Sequence, residues 1–445
     1  MTRTLLRNAI VLTMDDDIGD FARGDVLIED GVISRIGVDL TADAHVLDCT
    51  DKIVLPGFVN SHLHMFQTAL RGYWSDALAD DYFAQSRTGR DAIFHHYTPE
   101  DVYWSEFVGA LQNLSAGTTT VVDTSQCSYT PAHTDAALDA IRRSGIRCVF
   151  SLTPVMGHDA APTYNYPNDI RRLAETTGPA DTGARVSLAL GYLADATDFR
   201  VARELDLPVF AHINNEWFGR ALEELEGEGL LGPRNTYIHC LGLQDSTWQA
   251  IARTGGKVSL SCFVEHALGM GAPAIQSAID YNIPAGLSTD GASLGPVDMF
   301  SQMRAAFQSQ RNVIHESARK GPPENAKPVT TRDILRMATL RGAQAAHLDH
   351  LIGSLTPGKI ADIIVLNART LNTVPMSHAT GAVVHHMDTS NIDTVIVGGE
   401  IVKSHGRLHH VDVDAALTEL TRTAENLVRR SRYPDILLTS CRHFP

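Results

Sequence analysis

Between residues 53 and 288 one pattern recurs: a short, nearly continuous apolar run rich in β-branched residues, then a stretch that is polar or helix-periodic. The runs are IVLPGFVN (53–60), TTTVVD (118–123), RCVFSL (147–152), RVSLAL (185–190), PVFAH (208–212), NTYIH (235–239), KVSLS (257–261) and IPAGLS (283–288). Runs without polar alternation belong to strands covered on both faces, as parallel strands flanked by helices are. Helical periodicity fills several gaps: VYWSEFVGALQNLSA (102–116), HTDAALDAIRRSG (133–145) and STWQAIARTG (246–255). Eight such units predict an α/β fold, a TIM-like (β/α)8 barrel over 56–352. A doubly wound sheet is the alternative. The number of units and the polar residues at the run ends favour the barrel.

The two ends of the chain have another texture. NAIVLTMD, GDVLIEDGVISRIG and HVLDCT near the start, and GKIADIIVLNA (358–368) and IDTVIVGGEIVKSHG (392–406) near the close, are short β-branched strands broken by Gly and Asp. EDG at 29–31 and the GG before EIVK mark hairpins. Chain termini often lie close together. Residues 1–55 and 353–410 are therefore expected to form one small composite β-sandwich domain. The stretch 411–445 is expected to be a terminal helix and tail, the helix being the amphipathic DAALTELTRTAENLVRR (414–430).

In a barrel of this kind chemistry collects where the strands end. Strand one ends in His62 and His64, which share a face because residues i and i+2 do. Strand five ends in His212, strand six in His239, and GLSTDG carries strand eight into Asp290. Imidazoles and a carboxylate suit zinc, or iron(II) as the second choice. His62, His64, His212 and Asp290 make a complete mononuclear ligand set with room for a water. A divalent cation lowers the pKa of such a water to roughly 7, giving a hydroxide nucleophile. Asp290 is the candidate proton acceptor, and His239 the group that holds or polarises a substrate.

The formal net charge of −15 disfavours a nucleic-acid partner. The six cysteines form no CxxC pair, so neither a zinc ribbon nor a disulfide framework is expected. MTRTLLRNAIVLTMDDD resembles neither a signal peptide nor a membrane span. The expectation is a soluble cytoplasmic protein with a small-molecule substrate.

PGFVNSHLH (56–64), LSAGTTTVVD (114–123), FAHINNE (210–216), YIHC (237–240), LSTDGAS (287–293) and LTPGKIADIIVLN (355–367) together resemble the amidohydrolase superfamily, in family order and across nearly the whole chain. Some members bridge two metals with a carboxylated lysine on strand four. No lysine lies between Lys52 and Lys257, so the resemblance implies the mononuclear arrangement. HLHMFQTALRG resembles the deaminase and triazine-hydrolase branch, which implies substrate contact by Gln67 and an assembly that is a homodimer or larger homo-oligomer. The reaction implied is deamination or amine displacement at a C–N bond of a nitrogen heterocycle.

One departure stands out. Members of that branch carry His-x-x-Glu after strand five, the glutamate moving a proton. Here the third position after His212 is Asn215, and Glu216 comes one place later. An amide cannot shuttle a proton, so either a local bulge swings Glu216 into that place or the mechanism is altered. With SCFVEHALGMGAP (261–273) and DMFSQMRAAFQSQR (298–311), this resembles members near hydroxyatrazine hydrolase. It also leaves open another reaction at the same metal: a different hydrolysis, a lyase step, a cyclisation or an isomerisation. A barrel that only binds a small molecule is the third reading. Asn215 and Glu216 are candidate substrate contacts, as is Glu265 after strand seven, which could instead cap its helix. Trp74, with Tyr82, Phe83, Phe94, His95 and His96 in the long segment after strand one, is a candidate pocket wall or a subunit contact. Met299, Phe300, Met303 and Phe307 have helical spacing and read as core, and Cys240 and Cys262 read as small apolar fillers.

Overall fold

The computed structural model describes residues 2–88, 92–155, 166, 168–177, 183–191, 193–320 and 327–433, with only the backbone of 215–220 and 320. The N-terminal strands are β1 (Arg3–Val11), β2 (Phe21–Glu29), β3 (Val32–Gly37), β4 (His45–Asp48) and β5 (Lys52–Pro56). The parallel strands follow: β6 (Phe58–His64), β7 (Thr118–Ser125), β8 (Arg147–Leu152), β9 (Val186–Leu190), β10 (Val209–Asn214), β11 (Asn235–Leu241), β12 (Lys257–Leu260), β13 (Ala285–Leu287) and β14 (Asp290–Gly291). The last are β15 (Ile363–Asn367), β16 (Ile392–Val397), β17 (Glu400–Ser404) and β18 (Arg407–Leu408).

Strands from both chain ends share one mixed sheet, ordered β18-β17-β16-β15-β5-β1-β2-β3 with β4 on β1. The seam between the ends is β5 against β15, antiparallel, with Ile53 opposite Leu366 and Pro56 opposite Ile363. Leu6, Val26, Ile28, Val54, Ile363 and Ile396 pack into a core of their own on this sheet.

The apolar run 53–60 is not one strand, contrary to the sequence reading. It divides at Gly57 into β5 of the mixed sheet and β6 of the barrel. The Gly57 amide donates to Asp362 O at 2.9 Å, and the next amide, of Phe58, donates to Gly117 O at 3.0 Å. A Cβ on Gly57 would stand 2.1 Å from Thr119 Oγ1, so only glycine lets the two sheets approach this closely.

The parallel strands are ordered β13-β12-β11-β10-β9-β8-β7-β6-β14. The last run, 283–288, also ends sooner than its apolar pattern suggests. β13 pairs with β12, and the chain then crosses so that Asp290 and Gly291 pair with Leu63 and His64 of β6. Asn60 secures the crossing: its Oδ1 accepts from the Thr289 amide at 3.0 Å and its Nδ2 donates to Thr289 Oγ1 at 2.7 Å. The first and last strands of the barrel thus meet at the strand ends that carry His64 and Asp290.

Inside, Val59, Val122, Val149, Ala189, Phe210 and Ile238 form a cluster with Ala343, Ala346, Leu348 and Ile352, so the segment after β14 closes the barrel interior beneath the histidines. Barrel and mixed sheet are tied by a buried pair. Arg147 Nε donates to Asp362 Oδ2 at 2.7 Å and its second arm to Oδ1 at 3.1 Å, both side chains being about 2% exposed. The Gly398 amide also donates to Asp362 Oδ1, at 2.7 Å.

The helices fall where the periodicity placed them, at Pro99–Ser115, Pro131–Ser144 and Asp245–Thr254. The first is set by a capping box between Thr98 and Asp101 with Pro99 at the opening position. The terminal helix Val413–Ser431 begins on Asp412, whose side chain accepts from the Ala415 amide. Met299, Phe300 and Met303 are fully buried. Cys49, Cys127, Cys148, Cys240 and Cys262 are buried and free, and Cys441 lies outside the described residues.

Candidate metal centre and active site

β6 does not alternate regularly as it approaches the site. Asn60 pairs with Val121 and Leu63 with Asp123, three residues against two, so β6 carries one extra residue. Such a bulge re-aims side chains. The result brings the His62 ring within 4.7 Å of both the His64 and the His212 rings, and 5.8 Å from His239. The ligand atoms of His62, His64 and His212 lie within 4.8 Å of one another, and so do those of His62, His239 and Asp290. Strands one, five, six and eight therefore deliver their polar ends to one place.

The hydrogen bonds fix which nitrogen faces inward. His64 Nδ1 lies 2.9 Å from the Thr124 carbonyl, which can only accept. Nδ1 must carry the proton, leaving the Nε2 lone pair for the site. His62 Nδ1 lies 2.9 Å from the Thr124 hydroxyl. One residue at the end of β7 thus orients both histidines of the HxH motif. The sequence reading ended strand two at 123 and missed it. The signal was present, since Thr124 and Ser125 are the polar residues that close that run. Next to it, Asp123 Oδ1 accepts from the Met65 amide at 3.1 Å, pinning the turn after His64.

The donor set fits a metal ion. His62 Nε2 is buried without a hydrogen bond, and it and His64 Nε2 each stand 3.4 Å from Asp290 Oδ1. Ligands about 2.1 Å from a tetrahedral ion are separated by roughly 3.4 Å. Burial, with the charge of neighbouring imidazoles, holds His64 and His212 well below the ordinary imidazole range, and burial lowers His62 against the pull of Asp290. All three are neutral at pH 7, the form that ligates. Burial would raise the Asp290 carboxyl, but the polar imidazoles of His62, His239 and His64 facing it outweigh that, and it is ionised well below the usual carboxylate range.

His239 sits on the far side of Asp290. Its Nε2 is 3.7 Å from Asp290 Oδ2 and its Nδ1 3.0 Å from Glu265 Oε1. Burial works against its protonation, yet the two carboxylates prevail and its affinity for a proton is raised. His239, Cys240 and Asp290 all have positive φ (69°, 57° and 59°). Non-glycine residues in this region cost on the order of 1–3 kcal/mol each, and such strain gathers at functional sites. In β11 it coincides with a second bulge, where Ile213 pairs with His239 but Asn214 with Leu241.

Glu265 is fully buried on the short helix Cys262–Ala267, and the same oxygen that meets His239 accepts from the Ser261 amide at 2.8 Å. The structure places it behind His239. Gln67, also buried, donates to Tyr82 OH at 2.8 Å and accepts from Ser293 Oγ at 2.6 Å. Trp74 packs on Tyr82 and Phe94 and donates to Gln85 Oε1 at 3.2 Å. Asn215 and Glu216 open the helix Asn215–Gly227, and their side chains lie outside the described residues. A buried arginine in the segment after β6, Arg87, was also missed. Its donor, NH2, lies 2.7 Å from Tyr82 OH.

A parallel barrel that gathers three histidines and an aspartate at its strand ends defines a class, the metal-centred (β/α)8 proteins. Residues 53–402 match the model of the amidohydrolase family, and the chain belongs to that family. It is 28% identical to 5'-deoxyadenosine deaminase of Methanobrevibacter smithii, over 96% of this chain and 99% of that one. It is 27% identical to 5-methylthioadenosine/S-adenosylhomocysteine deaminase of Carboxydothermus hydrogenoformans, over 95% and 98%. Among solved structures, an adenosine deaminase from Xanthomonas campestris with bound zinc superposes with a TM-score of 0.83 at 22% identity, covering 97% of this chain and 99% of the other. Atrazine chlorohydrolase TrzN from Arthrobacter aurescens, complexed with zinc, gives 0.82 at 21%, covering 95% and 100%. At these identities the structural matches establish the fold.

Proposed function

We propose that this chain is a mononuclear metal-dependent hydrolase that removes an amine from a nitrogen heterocycle, breaking a C–N bond outside any peptide. The observation that carries this is the convergence of His62, His64, His212 and Asp290, with the Nδ1 atoms of His62 and His64 tied to Thr124 and a His239–Glu265 pair facing Asp290. The deaminase relatives support amine removal. The zinc named in both structural neighbours supports zinc, with iron(II) second.

When bound, the cation would supply an acidified water at neutral pH. The protein groups do the rest. Asp290, held ionised, accepts the proton as the water oxygen adds to the ring carbon, and returns it to the departing nitrogen. His239 faces the developing charge on the ring, and Glu265 keeps its imidazole oriented. Gln67 is proposed to bound the substrate side, and Trp74, Asn215 and Glu216 to shape it. Residues 1–55 with 353–410 are proposed as one domain, 56–352 as the barrel, and 411–445 as helix and tail. A cytoplasmic homo-oligomer is proposed, to be checked by sedimentation. Among the described residues no helix is long and apolar enough to cross a membrane.

The test is ammonia release from a panel of amino-substituted purines, pyrimidines and triazines by zinc-reconstituted protein in oxygen-labelled water. Label in the product and at least a hundredfold loss in Asp290→Asn are expected, since general acid–base groups contribute about 10²–10⁴ in rate. Wild-type rates in that variant would remove Asp290 from the mechanism. Asn215, in place of the usual glutamate, favours a second reading, a lyase or isomerase step, and unlabelled product would select it.

A further inference from the structure

At the mouth of the barrel one buried amide binds nothing in the protein. Gln126, the residue after β7, is 2% exposed, and among the described residues neither its Oε1 nor its Nε2 has a hydrogen-bond partner. Its direction follows from the alternation along β7. Val122 packs in the barrel interior, whereas Val121 belongs to the core between strands and helices. Thr124 again points inward, its hydroxyl 2.9 Å from His62 Nδ1, and Asp123 turns away to the Met65 amide. Cys127 returns to the outer core, so the alternation runs on past the strand and turns Gln126 inward. Thr153 Oγ1 donates to Ser125 O at 2.6 Å, which ties the chain at this point to the end of β8. Leu63 pairs with Asp123, so Thr124 stands level with His64. Two residues further along an extended chain is about 6.6 Å. Gln126 is therefore one layer above the proposed ligands, at the height of a ring whose reacting carbon meets them.

An amide buried with both groups unpaired is unfavourable, and folded proteins keep few of them. At the strand ends of a barrel, a bound ligand can complete the bonding. Gln67, the other glutamine buried there, is already engaged at both ends, by Tyr82 and Ser293. A carboxamide offers a donor and an acceptor side by side. Its complement is an acceptor beside a donor. The leaving amine and its ring nitrogen form one such edge, but the proposed reaction holds that edge against Asp290 and His239. Gln126 has to read a second edge. A lactam, an N–H beside a C=O, supplies it in the ring plane and adds no charge.

We propose that Gln126 is a specificity-determining residue and that the natural substrate is an amino-heterocycle whose ring also carries a lactam. Gln126 Oε1 accepts from the ring N–H and its Nε2 donates to the ring C=O, while the amine-bearing carbon faces Asp290 and His239. This rests on the amine-removing function proposed above and names the substrate class of that site.

The test uses zinc-loaded full-length protein and matched probes: cytosine against 4-aminopyrimidine, guanine against 2-aminopurine, and 4-amino-1,3,5-triazin-2-one against 2-amino-1,3,5-triazine. Each counterpart keeps the amine and lacks the oxo group, and with it the lactam N–H. Calorimetric affinity and ammonia release are read for each. Two paired hydrogen bonds should make wild type favour the lactam in at least one pair by roughly 10- to 100-fold. In Gln126→Met, similar in shape but apolar, the affinity ratio should fall at least tenfold. Gln126→Asn, which keeps both groups on a shorter arm, should recover it in part. Because Gln126 bonds to nothing in the folded chain, Gln126→Met should leave the urea midpoint of unliganded protein unchanged or higher. A glutamine that only holds the fold would lower that midpoint and depress both probes together with the ratio unmoved, which overturns the proposal. So does a wild type that treats each pair alike, or binds none of them. Lactam-selective binding that is lost in Gln126→Met, without ammonia release, would keep Gln126 in its role and overturn the deaminase reading instead. Ammonia release without lactam preference would do the reverse.

Discussion

Replacing Thr124 by valine removes one hydroxyl and almost no volume. In the structure that hydroxyl is the partner of His62 Nδ1 at 2.9 Å, whereas His64 Nδ1 is held by the carbonyl of the same residue. The substitution therefore separates two histidines that one residue orients. Loss of the partner leaves a buried N–H unsatisfied, at a cost of about 1–3 kcal/mol, and frees the ring to turn or to take the wrong tautomer. Outer partners of metal-bound histidines are typically worth 10- to 100-fold in metal affinity, or about 1.4–2.8 kcal/mol. The two figures agree, so Thr124→Val should weaken zinc binding by about one to two orders of magnitude. Competition against a chromophoric chelator at fixed pH reads this directly. Thr124→Ser keeps the hydroxyl and should stay near wild type. If Thr124→Val binds zinc within twofold of wild type, His62 does not ligate through Nε2 and the geometry of the centre has been misread.

Glu265→Gln should leave zinc content intact and lower turnover, because Glu265 meets His239 and none of the four proposed ligands. Glu265 helps raise the proton affinity of His239, so any alkaline limb governed by that residue should move to lower pH, and an unmoved limb in kcat/KM would refute the pairing. Asp362→Ala strands Arg147 in the interior and should cost about 3–5 kcal/mol by urea denaturation, while the apolar pair Arg147→Met with Asp362→Leu should recover most of it; a single-variant loss under 1 kcal/mol would deny the pair a structural role. For metal-free protein the four histidines of the site set opposite slopes. His62, His64 and His212, all lowered, favour the folded state above the ordinary imidazole value near 6.5, and that stability is lost as pH falls below it, by up to about 1.4 kcal/mol per pH unit each. His239, raised, contributes stability that is full below about 6.5 and lost as pH rises through its folded value. Thermal midpoints of the chelated protein should thus crest near 6.5 and fall more steeply on the acid side, and a flat profile would contradict these protonation states.

Much of the site was legible because a barrel turns sequence order into position. Once eight apolar runs are counted, the residue closing each run has a known address, and His62, His64, His212, His239 and Asp290 follow from that count. What escaped was whatever depends on contacts between runs. Nothing in IVLPGFVN shows that Gly57 hands the chain from one sheet to another, since both halves are equally apolar. The bulge in β6 is a mismatch with β7, so β6 alone cannot reveal it. Glu265 and His239 are 26 residues apart in sequence, and Arg147 and Asp362 are 215 apart, one opening a barrel strand and the other beside β15 of the mixed sheet. Arg87 lay in a stretch with no clear periodicity, where aromatic residues drew the attention and the cation among them did not.

The seam between β5 and β15 has a consequence for how the chain is made. Ile53 and Leu366 are partners, yet the ribosome delivers them roughly 300 residues apart. At about 5–20 residues per second, that is on the order of 15–60 s during which β1 to β5 exist and β15 does not. Throughout that interval the side of β5 later taken by β15 is an open row of amides and carbonyls beside an apolar face, a surface that invites pairing with a neighbouring nascent chain. Yield in a heterologous host should therefore depend on synthesis rate and on chaperones that shield early strands, more than on the equilibrium stability of the finished barrel.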